Sequence, residues 1–161
     1  MNLETRLQNP SLDDFERQLL ETVRDYGWQV TMIPEDQEGS AFAFSVGFEA
    51  TLQHPEIILF GLKLETMHSL INHLGDQIKS GSRFTHGQVV TDILTGYEVM
   101  FVNVPKNHYP EYLGVAKWFY ETDEFSVLQM IYPDRLHRFP WHEKANPRFL
   151  EQQPILGILE P

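Results

Sequence analysis

The sequence predicts an α+β fold: one mainly antiparallel sheet, with a partly closed barrel as its variant, about three helices and an extended C-terminal tail. Three observations point there. Three stretches place apolar residues at helical spacing, and six short stretches read as strands bounded by Gly and Pro turns. The resulting order, α-β-β-β-α-β-β-α-β, groups strands in consecutive runs, as antiparallel neighbours are.

The first helix is read over residues 11–26, where Leu12, Phe15, Leu19, Val23 and Tyr26 form one stripe. Ser11 stands where a cap is needed, with Asp14 three residues on, and Gly27 follows as a left-handed terminator. Trp28 to Ile33 and Ala41 to Gly47 read as strands joined by the polar turn Pro34 to Ser40. Glu56 to Gly61 contains the run Ile57-Ile58-Leu59-Phe60, apolar on both faces, which suits a central strand. Leu64 to Lys79 is the second helix, with Leu64, Met67, Ile71, Leu74 and Ile78 on one side and Gly81 after it. Gln88 to Ile93 and Tyr97 to Val104 make two strands turning at Thr95-Gly96. Pro110 opens a third helix over residues 110–121, with Tyr112, Val115, Ala116 and Phe119 inward. Phe125 to Tyr132 is the last strand. Residues 133–161 form a tail expected to wrap the domain, pinned by Trp141 and by Pro154-Ile155-Leu156. All 161 residues are read as one domain, with residues 27–132 as its α+β core.

Composition removes several functions. The absence of cysteine excludes disulfides, thiolate metal sites and a cysteine nucleophile, and fits a reducing, cytoplasmic compartment. No secretory signal is visible at the N-terminus and the longest apolar run has four residues, so no membrane role is expected. A net charge of −11 argues against nucleic acid, whose phosphates call for a basic face. The charge is uneven: residues 1–62 hold three basic and eleven acidic residues, whereas residues 134–148 hold four basic and two acidic ones. The acidic half is either a solvated face or the contact for a basic protein partner.

Catalytic and metal motifs are missing. His68 and His73 share a helix but point about 140° apart. His54 reads as a turn residue and His86 as a loop residue, so no metal site is expected. Ser45 lacks the preceding glycine of a nucleophile elbow, and no phosphate-binding glycine loop occurs. Glu49 with Glu56, or Asp134 with Glu143, are the carboxylate pairs on offer for acid–base work, against a background of 23 acids.

Three places remain as ligand-binding candidates. On the strand 41–47, Phe42, Phe44 and Val46 alternate with Ala41, Ala43, Ser45 and Gly47. The small face, including Ser45, accepts either a close-lying helix or a flat ligand. Gln129 is polar within an apolar strand; its amide must bond a neighbouring loop or a ligand. In Tyr132 to His142, Arg135 and Arg138 offer planar forks to an anion, and Tyr132 and Trp141 offer aromatic faces.

The blocks Ala43-Phe44-Ser45-Val46-Gly47-Phe48, His54-Pro55-Glu56 and Phe60-Gly61-Leu62, followed by Leu128-Gln129-Met130-Ile131-Tyr132-Pro133-Asp134 and Arg138-Phe139-Pro140-Trp141, resemble the bacterial domain-of-unknown-function family 4262. The likeness runs from about Gly27 to Leu156. It implies a small bacterial cytoplasmic protein and brings no assigned activity or catalytic residue. A looser similarity of pattern links the small-residue strand to flavin-reductase-like split barrels.

Two functional readings follow. The first is a non-catalytic binding or protein-interaction domain with no cofactor, taking a basic protein partner or a small anionic ligand. The second is a flavin- or nucleotide-binding enzyme of split-barrel type, holding FMN or a nucleotide between the small-residue strand and the Arg135–Trp141 segment.

Overall fold

In the computed structural model, which describes residues 1–157, the first turn of structure is Leu3–Leu7 (α1), capped by the Asn2 side chain. Helix Asp14–Tyr26 (α2) begins two residues later than Ser11 would start it. Asp13 is the cap: its Oδ1 accepts the Glu16 amide at 2.7 Å while Glu16 Oε1 accepts the Asp13 amide at 2.9 Å. This reciprocal box satisfies two amides that a serine at position 11 cannot reach. Gly27 closes the helix at φ +100°, as its sequence position implies.

Strands Gln29–Ile33 (β1) and Phe42–Val46 (β2) form the expected hairpin. A five-residue helix, Phe48–Leu52 (α3), then leads into Glu56–Phe60 (β3). Helix Leu64–Lys79 (α4) buries Met67, Leu70, Ile71, Leu74 and Ile78. A second hairpin follows, Val89–Leu94 (β4) and Tyr97–Asn103 (β5). The single helix expected over 110–121 is two: Tyr109–Tyr112 (α5) and Gly114–Tyr120 (α6), separated at Leu113, whose φ of −119° is not helical. Val127–Ile131 (β6) is the last strand, and Pro147–Gln152 (α7) is a helix within the expected extended tail, capped by Asn146 with proline in its first turn.

The six strands form one open sheet in the order β1-β2-β3-β6-β5-β4. Four of its five strand pairs are antiparallel, as expected, but β3 and β6, the central pair, run parallel and make the sheet mixed; it does not close into a barrel. Both are buried at every position, which matches the two-faced apolar run at 57–60. Seven helices among the described residues replace the three expected, because four of the seven are only four to six residues long. Segments that short show no helical period in a sequence.

Helices cover both faces. On one, α4 packs on Ala43, Ile57, Leu59, Leu128 and Met130. On the other, Leu19, Leu20 and Val23 of α2, with Leu113, Ala116 and Phe119, pack on Phe44, Val46, Ile58 and Phe60. The small side chain of Ala43 thus serves close helix–sheet packing. Gly75 of α4 completes the fit: a methyl group there would lie 2.5 Å from the Trp28 ring and 3.0 Å from Phe48.

Glutamine amides fasten the tail. Gln129 Nε2 donates to Pro154 O at 2.7 Å, and its Oε1 accepts the Leu156 amide at 2.9 Å. Gln153 in turn takes both backbone groups of Tyr132, each at 2.9 Å. Leu156 and Phe149 are buried in the two cores. Trp141, expected to pin the tail, is 44% exposed and stacks on Phe139 instead.

Candidate functional site

The oddest group in the fold is a carboxylate with no exposed surface. Glu56 opens β3 immediately after Pro55, where the sequence turns from loop to apolar strand. Its oxygens accept the amides of Gly47 (3.2 Å), Phe48 (3.1 Å) and Glu49 (3.2 Å), the donors left over at the start of α3. They also accept the hydroxyls of Ser45, at 2.7 Å, and of Tyr120. Gly47 makes the cradle possible: at φ +122°, any side chain would strike Gly27 O at 2.6 Å. Burial pushes the Glu56 carboxyl up to about 7, against the pull of the hydrogen bonds from Tyr120, Ser45, Glu49 and Phe48.

His54, two residues earlier, is also buried. Its Nδ1 donates to Pro55 O at 2.8 Å and its Nε2 accepts the Phe84 amide at 3.0 Å. Both nitrogens are therefore committed to the neutral ring, and burial lowers its proton affinity below the ordinary histidine value. The Glu49–Glu56 carboxylate pair is not a pair: Glu49 meets Glu56 through its backbone amide and turns its own Oε1 to the Ser126 amide.

Ser45 and Gln129 are wholly buried. The Ser45 hydroxyl donates to Glu56 and accepts the Ile57 amide at 2.9 Å. Gln129 holds the tail, as described above. The Tyr132 ring is buried, with its hydroxyl on Phe60 O at 2.7 Å. Reaction at any of these atoms would need room for an incoming substrate, and they have no exposed surface or nearly none. One buried oxygen stands apart: Thr31 Oγ1 has no hydrogen-bond partner among the described residues.

The other three candidates lie together on the surface loop 133–142. Asp134 shapes it: Oδ1 accepts the amides of Leu136 (2.9 Å) and Arg138 (3.0 Å), and Oδ2 pairs with Arg138 Nε at 3.0 Å. Desolvation opposes the charge, yet these bonds hold the Asp134 carboxyl below its ordinary value. His137 completes the turn at φ +63° and stacks on Tyr97 with centroids 4.8 Å apart. Phe139 and Trp141 stack almost parallel, 5.0 Å apart at 4°. Leu136 is 68% exposed, Arg135 is exposed, and Arg135 makes no ion pair among the described residues. An open cleft of about 500 Å³ adjoins, lined by Thr91, Tyr97, Glu98, Pro133, His137 and Phe139. The structure thus splits the six candidates: Ser45, Gln129 and Tyr132 lie inside the fold, while Arg135, Arg138 and Trp141 share one loop.

Sequence reading missed the parts played by Glu56, His54, Tyr120 and Gln153. The available signal was an acid and a histidine flanking Pro55 just before an apolar strand. Their partners, Phe84 and Tyr120, are 30 and 64 residues away in the chain.

Comparison with known proteins gives one family match, described as Domain of unknown function (DUF4262), over residues 22–146. No curated protein and no solved structure matches the chain.

Proposed function

We propose, for a chain that belongs to the DUF4262 family of domains of unknown function, a non-catalytic binding function carried by the loop 133–142. One observation carries the reading: Trp141, 44% exposed, lies flat on Phe139 in a loop whose arginines stand out from an acidic chain. A half-exposed pair of stacked rings, in the same loop as a guanidinium that makes no ion pair among the described residues, suits a ligand that joins a flat apolar body to a carboxylate or phosphate. The buried polar groups support the non-catalytic half. Ser45, His54, Glu56, Gln129 and Gln153 are all occupied in holding backbone.

Calorimetric titration with FMN and adenosine monophosphate tests it. Arg135→Gln removes a charge-assisted bond worth about 1.5–3 kcal/mol, so binding weakens by about tenfold or more. Trp141→Ala weakens it comparably. Because the ring is exposed, unfolding free energy changes by no more than about 1 kcal/mol. Titrations in which wild type binds neither compound, or in which both variants bind like wild type, refute the reading.

A further inference from the structure

The two edges of the sheet are unlike. β4, at one end, has a register break between Val90 and Leu94 and carries the exposed charge of Asp92. Both features deter a further strand from pairing there. β1, at the other end, is a regular ladder over all five residues, Gln-Val-Thr-Met-Ile, with no charge, proline or bulge. The Gly61 amide donates to Ala41 O at 2.8 Å, which sets the phase of the ladder. Odd residues of β2 then bond toward β3 and even residues toward β1. The register pairs Thr31 with Phe44 and Ile33 with Phe42, so the amides and carbonyls of Val30 and Met32 face away from the sheet. No strand lies outside β1 among the described residues.

The space beside this edge is a cleft of about 590 Å³ between two helices. Gln18, Thr22 and Tyr26 of the α2 side and His68, Asn72 and Asp76 of α4 form its walls. Met32 is 42% exposed and Tyr26 75% exposed at the same edge. Exposed acids, Glu35 and Asp36, follow the C-terminal end of β1; at the other end Asp25 is paired with Arg24 at 2.8 Å, and Lys79 joins the cleft wall.

We propose that the outer edge of β1 is a docking site for one extended segment of a partner protein, paired to Val30 and Met32 and bearing basic side chains at the end that meets Glu35 and Asp36. Unpaired backbone groups on a straight edge are matched by another strand, whose main chain supplies the bonds and whose alternate side chains meet the flanking walls. Glu35 and Asp36 select lysine or arginine at that end. A second copy of this chain is the poorer occupant, because residues 1–62 carry eleven acids against three basic residues and two such halves repel. The site is separate from the loop 133–142 and stands whether or not that loop binds a ligand.

The experiment uses the full isotopically labelled chain with three synthetic peptides: alternating valine and threonine ended by lysines, the same ended by glutamates, and a lysine-ended version interrupted by proline. Amide exchange is followed by NMR. The lysine peptide at millimolar concentration slows exchange at Val30 and Met32. The glutamate peptide binds about tenfold more weakly or worse, and the proline peptide gives no protection. Met32→Pro removes an outward amide and reduces protection at Val30. Thr31, bonded inward, reports whether that variant keeps its hairpin. Unchanged exchange at Val30 and Met32 with the lysine peptide overturns the proposal, as does equal binding of the glutamate peptide. Protection that instead rises with protein concentration alone assigns the edge to a second copy and overturns the stated occupant. Signals moving in residues 134–142 report the loop and are read separately.

Discussion

At Glu56 a single side chain does the work of a helix cap, a strand contact and a tyrosine anchor. Glu56→Ala strands three amides and two hydroxyls in a water-excluded site, and is expected to cost about 3–5 kcal/mol in urea unfolding. Thr31→Val should act the other way. It removes a buried hydroxyl that has no partner, and its shape is the same, so unfolding free energy should rise by about 1 kcal/mol. His54 sets a pH dependence. Its proton affinity is lowered in the fold, so the unfolded chain binds the proton more readily. Its stabilisation is therefore complete above the ordinary value of 6.5 and is lost as pH falls through the lower folded value. Glu56 acts oppositely: raised from 4.5 to about 7, its contribution is full below 4.5 and falls away as pH rises to about 7. Comparing wild type with His54→Gln between pH 4 and 7 separates them, since Gln keeps a donor and an acceptor but cannot protonate. The variant should lose part of the acid-side decline; identical pH profiles would contradict the assignment. Only the flanking of Pro55 by an acid and a histidine was legible in the sequence, because Phe84 and Tyr120, which complete the bonding of His54 and Glu56, are brought in by tertiary contact.

Among elements, those long enough to show a period were legible. The six strands and the helices α2 and α4 fall close to where alternation and helical stripes put them, although Phe15 and Tyr26 of the α2 stripe are exposed and Leu20 is buried in their stead. The break at Leu113 and the short helices α1, α3 and α7 did not show, because their ends are set by caps and contacts and not by a repeating pattern. The small-residue strand shows how an ambiguous pattern resolves. Ala43 packs under α4, and Gly75 of α4 lies close against the Trp28 ring. Gly75→Ala should therefore destabilise by about 1–3 kcal/mol through overpacking, although alanine in a helix interior is favoured by up to about 1 kcal/mol. A rise in melting temperature would show that Trp28 yields to the extra methyl.

At the scale of the whole molecule, the sequence order suggested antiparallel neighbours, and it missed the parallel β3–β6 pair at the centre. The intervening α4, hairpin and α5–α6 segment carry the chain back to β6, and nothing local in either strand records that pairing. The last stretch of the expected tail, residues 158–161, lies outside the described residues; before it, Gln129, Gln153 and Leu156, and not Trp141, fasten the chain. Gln129→Leu should loosen residues 153–157, cost about 1–3 kcal/mol, and expose the peptide after α7 to protease. An amide chemical-shift titration with FMN and adenosine monophosphate separates the inward-facing polar framework from the outward-facing loop. The signals of residues 134–142 should move while those of Ser45, Phe48, Glu56 and Gln129 stay in place. Shifts centred on Ser45 to Phe48 and Glu56, or no shifts from either compound, would contradict that expectation.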